Sequence, residues 1–155
     1  MFDKERFEVL TKNAVSAILA LMVENGKDRA PNFIVNNIKD VNVFLDASGS
    51  NIAGTISYVH NVRTNDGEVD AEMKVTVDIE SGKCASSMDD VTVNNGGDEA
   101  IVVMLGRARA LSGAMCGTFL GAIVGYLREY FKMASDRKAY IDEFIELVKY
   151  DKSNS

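Results

Sequence analysis

Few side chains in this sequence are of types that do chemistry at neutral pH. His60 is the only histidine among 155 residues, and no second histidine or cysteine pair accompanies it to complete a metal site. Acid–base catalysis by His60 would also need a carboxylate or nucleophile partner, which spacing alone does not supply. We therefore predict neither a metal nor a cofactor, and we rank an enzyme below the binding functions considered next.

Two arginines, Arg107 and Arg109 in LGRARALSG, are candidates for binding an anion. On a helix, residues two apart point about 200° apart, so one subunit cannot aim both at one ligand. Across a symmetric interface they could meet Arg63, Tyr58 or His60 of a partner and form a cationic, aromatic pocket for a nucleotide-like anion. The alternative is that both are surface arginines that pair with acidic side chains.

Acidic residues are concentrated in one segment of a chain whose net charge is −6. Residues 65–99 carry ten acidic residues against Lys74 and Lys83, so we expect no direct binding to nucleic acid. Four of these acidic residues alternate along one predicted strand face: Asp70, Glu72, Asp78 and Glu80. A solvated face is the usual explanation, and the spacing lacks the DxDxDG pattern of a calcium loop. The alternative is a surface for a basic partner protein.

Glycine recurs every fourth residue in SGAMCGTFLGAIVGYL, residues 112–127, at positions 113, 117, 121 and 125. Each glycine inside a helix costs roughly 1 kcal/mol relative to alanine, so the pattern needs an offsetting gain. Glycines four apart share one side of a helix and form a groove for close backbone approach. Because the other sides are apolar, we predict a buried helix that packs against a second copy of the chain.

The same helix is long enough to raise the possibility of a membrane span. Residues 110–127 are uncharged, and GxxxG also promotes helix pairing in membranes. However, small polar residues dilute the hydropathy, and basic residues flank both ends. We therefore expect a buried helix and no membrane contact.

Cys84 and Cys116 are far apart in sequence, one in a predicted polar loop and the other among the glycines. We expect no disulfide between them and therefore a reducing environment. The first residues, MFDKERFEVL, lack the uninterrupted apolar core of a secretion signal. Together these features predict a cytoplasmic protein.

Hydrophobic periodicity predicts the elements that position these residues. A helix over 3–25, with Asp3 as N-cap, is followed by strands over 38–46, 51–60 and 69–80 and a short edge strand over 89–95. A long helix over 98–133 and an amphipathic helix from 135 complete a single α+β domain over 1–150, followed by a loose tail over 151–155. The predicted sheet is antiparallel, has three to four strands and carries the helices on one face.

Two of these elements give specific core predictions. Strand 69–80 alternates apolar and polar residues without error, which is typical of one buried and one wet face. The N-terminal helix is predicted to bury a stripe made of Phe7, Leu10, Ala14, Ala17, Ile18 and Leu21.

The order of the first five elements resembles the α-β-β-β-α order of double-stranded-RNA-binding domains. The acidic third strand and the lack of a basic cluster at a helix start argue against that function here. Two hypotheses follow. The first is a non-enzymatic homo-oligomer that sequesters a small anion at a subunit interface. The second is an acidic inhibitor or nucleic-acid decoy, similar in size and composition to phage-encoded anti-CRISPR proteins.

Overall fold

The structure, a computed structural model, describes residues 2–29, 35–46, 52–64, 67–94, 98–130 and 137–153. These residues form three helices and four strands in the predicted order. The elements are α1 (Lys4–Arg29), β1 (Val35–Asp46), β2 (Ala53–Thr64), β3 (Gly67–Asp78), β4 (Cys84–Asn94), α2 (Asp98–Tyr130) and α3 (Arg137–Ser153).

The four strands form one antiparallel sheet in chain order, β1-β2-β3-β4. In β2 and β3 the register is continuous from Ala53 opposite Asp78 to Thr64 opposite Gly67. The alternation predicted for β3 is confirmed, because every apolar residue from Val69 to Ile79 is buried. One face of the sheet therefore belongs to the core, and the other carries the polar residues.

All helix contacts with the sheet confirm the predicted α+β arrangement. Helix α1 packs on β1, α2 lies across β2 and β3, and α3 packs beside α2. An aromatic cluster joins the three helices: the ring of Phe7 lies 5.7 Å from Phe119 and 4.9 Å from Phe144. The predicted cap of α1 is also confirmed, since Asp3 Oδ1 accepts a 3.0 Å hydrogen bond from the Arg6 amide.

Several element bounds differ from the predicted ones. Helix α1 continues past Gly26 to Arg29, and α3 continues to Ser153 through most of the predicted loose tail. Strand β4 begins at Cys84, five residues before the predicted edge strand. Edge strands need only one partner, so the polar sequence CASSMDD pairs with β3 despite its weak strand pattern.

The buried stripe of α1 is rotated from the predicted one. Its buried side chains are Phe7, Thr11, Val15 and Leu19, whereas Leu10 and Leu21 are 38% and 57% exposed. Thr11 is accommodated in the core because its hydroxyl donates a 2.8 Å hydrogen bond to the Phe7 carbonyl. The prediction that Leu10, Ala17 and Leu21 face the core was wrong, so an apolar flank of α1 faces outward.

The expectation of unpaired cysteines was also wrong. Cys84 and Cys116 form a disulfide, with their Cα atoms 6.3 Å apart. The physical reason is topological: α2 returns along the sheet and brings its middle next to the first residue of β4. Spacing in the sequence gave no indication of this contact.

Candidate functional surfaces

The glycine stripe of α2 faces away from the sheet. Gly113, Gly117, Gly121 and Gly125 are all exposed, and a Cβ atom built on any of them meets no atom within 4 Å. The opposite side of the helix carries Leu111, Met115, Phe119 and Ile123, all 1% exposed or less. Packing among the residues that the structure describes therefore gives no reason for these four glycines.

Helix α1 carries an apolar flank outside the core. Leu10, Ala14, Ala17 and Leu21 follow steps of four, three and four residues, which is the spacing of a helix–helix seam. Leu10 is 38% and Leu21 57% exposed, and Ala17 is exposed as well. Helices α1 and α2 contact each other, so we consider the glycine groove and this flank together. We call the two the helical outer face.

Residues Leu111–Arg128 of α2 are just long and apolar enough to cross a membrane. A mean hydropathy of 1.2 over 18 residues is a weak signal, and 39% of the segment is buried within the protein. Its apolar residues pack on β2 and β3, which accounts for most of the hydropathy.

The sheet separates the residues predicted for the anion pocket. Tyr58 and His60 lie on the core face of β2 and are 1% and 0% exposed. Arg63 lies on the opposite face, where its side chain is 60% exposed and pairs with Glu68 at 3.1 Å. One protomer therefore does not bring these three residues to one surface.

Burial changes the chemistry available to Tyr58. It raises the pKa of the phenol to about 12, and no described residue hydrogen-bonds the hydroxyl. Tyr58 and His60 are thus core side chains in the folded protomer. Arg107 and Arg109 belong to the first half of α2, and their side chains lie outside the described residues.

The outer face of the sheet carries most of the predicted acidic surface. Asp70, Glu72 and Asp78 alternate along the polar side of β3, while Glu80 is exposed in the turn that follows. No described helix covers this face. Phe44 of β1 lies on it and is 56% exposed, so the face is apolar as well as acidic.

Local contacts favour the charged forms of two carboxylates, Glu68 and Asp78. Asn61 donates to Glu68 at 2.7 Å and to Asp70 at 2.8 Å. Hydrogen bonds from Asn61 and then Arg63 lower the pKa of Glu68, and the Ser81 amide lowers the pKa of Asp78. Bases share the same face, since Lys39, Arg63 and Lys74 also lie there. Within the described ranges, no three histidine, cysteine or carboxylate side chains gather into a metal-binding group.

Comparison with known proteins adds no relationship: no family model, curated protein or solved structure matches this chain.

Sequence reasoning found the glycine stripe and the acidic strand face but missed the apolar flank of α1. The spacing of Leu10, Ala14, Ala17 and Leu21 indicated this flank, but these residues were predicted to face the core. A helix with apolar residues on two sides offers two choices of buried face. Tertiary packing decides between them, because it buries Thr11, Val15 and Leu19 together with Phe7.

Proposed function

We propose that this protein is a non-enzymatic homo-oligomer that assembles through the helical outer face and holds a small anionic ligand at the subunit interface. The observation that carries the proposal is the exposed glycine stripe. Each glycine destabilises α2 by roughly 1 kcal/mol relative to alanine, and no contact in the described part of the chain requires it. Close packing against a second helix offsets that cost.

The apolar flank of α1 supports the same assembly. Leu10 and Leu21 would gain about 25 cal/mol for each Å² of apolar surface removed from water. In a two-fold arrangement both subunits use this same surface, so the patch is buried on each of them. The sheet face remains free in such an oligomer.

Arg107 and Arg109 are the ligand-binding candidates, because α2 carries them toward the start of the glycine stripe. Tyr58, His60 and Arg63 contribute only if they become accessible in the oligomer, and Tyr58 and His60 are buried in the protomer. Burial of His60, the only histidine, also supports a function without catalysis. The ligand would be a nucleotide-like anion matched to guanidinium groups.

Native mass spectrometry before and after gentle denaturation tests both parts. A discrete oligomer carrying a mass that is lost on denaturation supports the proposal. Arg109→Ala should then remove the ligand and leave the oligomer intact, with Lys149→Ala on α3 as the matched control. A monomer contradicts the assembly, and ligand retention by Arg109→Ala contradicts the pocket. Turnover of a substrate that is lost in His60→Ala would contradict the absence of catalysis.

A second candidate function rests on the uncovered sheet face. Its carboxylates support an acidic interaction module, an inhibitor or nucleic-acid decoy that occupies a basic surface. Charge reversal with Asp70→Lys or Glu72→Lys should weaken capture of such a partner, and added salt should weaken it further. Thr76→Lys, at a half-buried position of the same face, is the control that adds a positive charge without removing a carboxylate, and it should weaken capture less. Binding that is insensitive to salt and to both charge reversals contradicts this candidate.

A cytoplasmic location remains our proposal, but its argument from unpaired cysteines no longer holds. Disulfides persist mainly in oxidising compartments. Thiol labelling of the protein in intact cells, with and without prior reduction, measures the state of Cys84 and Cys116. A fully oxidised pair would argue against the cytoplasm.

A further inference from the structure

An open cleft lies between the middle of α1 and the edge strand β1. Its volume is about 790 Å³, within the range of small-molecule sites. Lys12, Leu19 and Ala20 form the helix side of the cleft, and Asn37, Asp40 and Val41 form the strand side. None of these residues belongs to the helical outer face or to the acidic face of β3.

A break in the strand register shapes the cleft. The pairing of β1 with β2 shifts between Lys39 and Asn42, so the edge strand contains a bulge there. Asp40 has a φ of 55°, a left-handed conformation that residues other than glycine seldom adopt. The Asn42 side-chain amide donates a 3.1 Å hydrogen bond to the Asp40 carbonyl and holds this conformation. Bulges of this kind redirect side chains and are common beside binding sites.

The lining combines an apolar wall with two opposite charges. Val23, Ile38 and Val41 line the cleft and are only partly buried, so the wall provides an apolar surface. Lys12 and Asp40 are both exposed, and their side chains retain hydrogen-bonding capacity toward a ligand. A lysine selects an anionic group, whereas a carboxylate selects a hydrogen-bond donor.

We propose that this cleft binds a small amphipathic organic anion that also carries a hydrogen-bond donor. The apolar body lies against Val23, Ile38 and Val41, the anionic group pairs with Lys12, and the N–H or O–H donates to Asp40. The site is complete in one protomer and is independent of the subunit interface proposed above.

Anilinonaphthalenesulfonate is a suitable probe, because it combines apolar rings, a sulfonate and an N–H donor. Fluorescence titration of the full chain should show saturable binding of one probe per protomer. Lys12→Gln should weaken binding about tenfold, the value for loss of one charged hydrogen bond. Ala20→Phe should block the cleft, since position 20 is an exposed helix position that accepts a larger side chain.

Two controls separate the cleft from other surfaces. Lys4→Gln removes an exposed lysine from the same helix outside the cleft, and Leu21→Ser removes the most exposed leucine of the helical outer face. Both should bind the probe as the wild type does. Circular dichroism and thermal unfolding establish whether each variant is folded. If Ala20→Phe does not fold, Lys12→Gln alone still tests the proposal.

Three results would overturn the proposal: no saturable binding by the wild type, unchanged binding by both Lys12→Gln and Ala20→Phe, or loss of binding in Leu21→Ser. The titration is repeated with Gly117→Leu, the variant expected not to assemble. Retained binding by that variant shows that the cleft works without the oligomer, whereas loss of binding contradicts a site complete in one protomer. Failure of assembly and failure of the cleft are therefore distinguishable.

Discussion

Substitutions in the glycine stripe should affect the protomer and the oligomer in opposite directions. Gly117 and Gly121 are exposed, and a methyl group on either meets open space within 4 Å. Alanine at each position should therefore stabilise the isolated protomer by about 1 kcal/mol, because glycine loses more backbone entropy on folding. For a domain of this size, the double variant gains about 2 kcal/mol and its Tm rises by about 4 to 8 °C.

The oligomer should respond in the opposite sense. If the backbones of two α2 helices touch at the glycines, an added side chain forces them apart. Overpacking costs about 1 to 3 kcal/mol at each site, and a two-fold interface contains the site twice. Gly117→Leu should therefore weaken association at least about thirtyfold.

Two assays separate these effects. Thermal unfolding at protein concentrations below the dissociation constant measures the protomer, and sedimentation velocity over a concentration series measures association. Lys74→Leu, which adds the same side chain to the exposed sheet face, should leave association unchanged. A higher Tm with unaltered association in Gly117→Leu would refute our reasoning, because the glycines would then lie outside the interface.

The remaining predictions concern the core, the pH dependence and the disulfide. Gly54→Ala should destabilise the protein by about 1 to 3 kcal/mol in urea unfolding, because the new Cβ meets the ring of Phe119. Phe119→Leu in the same chain should recover part of this loss. Strictly additive effects of the two substitutions would contradict the contact. Tyr58→Phe should be neutral or stabilising by up to about 1 kcal/mol at pH 7, since its buried hydroxyl has no hydrogen-bond partner among the described residues. Burial raises the pKa of Tyr58 from 10.0 to about 12, so ionisation of this phenol leaves the wild-type stability unchanged below pH 10 and lowers it as the pH rises from 10 to 12. An equally steep alkaline loss of stability in Tyr58→Phe would contradict this. Replacing Cys84 and Cys116, 32 residues apart, by serine should lower the free energy of unfolding by about 3 to 4 kcal/mol, and a reductant should have the same effect on the wild type but none on the variant.

Regular alternation made the buried face of β3 predictable to the residue, although the strand itself runs over Gly67–Asp78 and not over 69–80. The antiparallel order and the helical layer followed from short connections and from the number of amphipathic elements. The start of edge strand β4 was harder to predict, since its polar sequence pairs with a neighbouring strand on one side only.

The errors arose where long-range contacts decide. Helix α1 has two apolar sides, and tertiary packing, which buries Thr11, Val15 and Leu19, decides its core face. The disulfide depends on where α2 crosses β4, which no local pattern encodes. Arg63 is an odd number of residues from Tyr58 and His60, so strand geometry places it on the opposite face of the sheet. The anion pocket across a subunit interface stays a prediction.

The contacts of helix α1 with edge strand β1 are compatible with both proposals, the helical outer face and the cleft. The Glu8 carboxylate accepts a 2.7 Å hydrogen bond from the Leu45 amide and so occupies a donor at one end of the strand. Towards the other end, the bulge at Asp40 opens the cleft instead. Helix α1 is thereby fixed to the sheet at its N-terminal end while Lys12 and Ala20 line open space. Under the two proposals its outward sides face different neighbours, with the Leu10 and Leu21 flank turned to a second subunit and the Lys12 side turned to a small molecule. The cleft can therefore be filled in the oligomer without disturbing the interface.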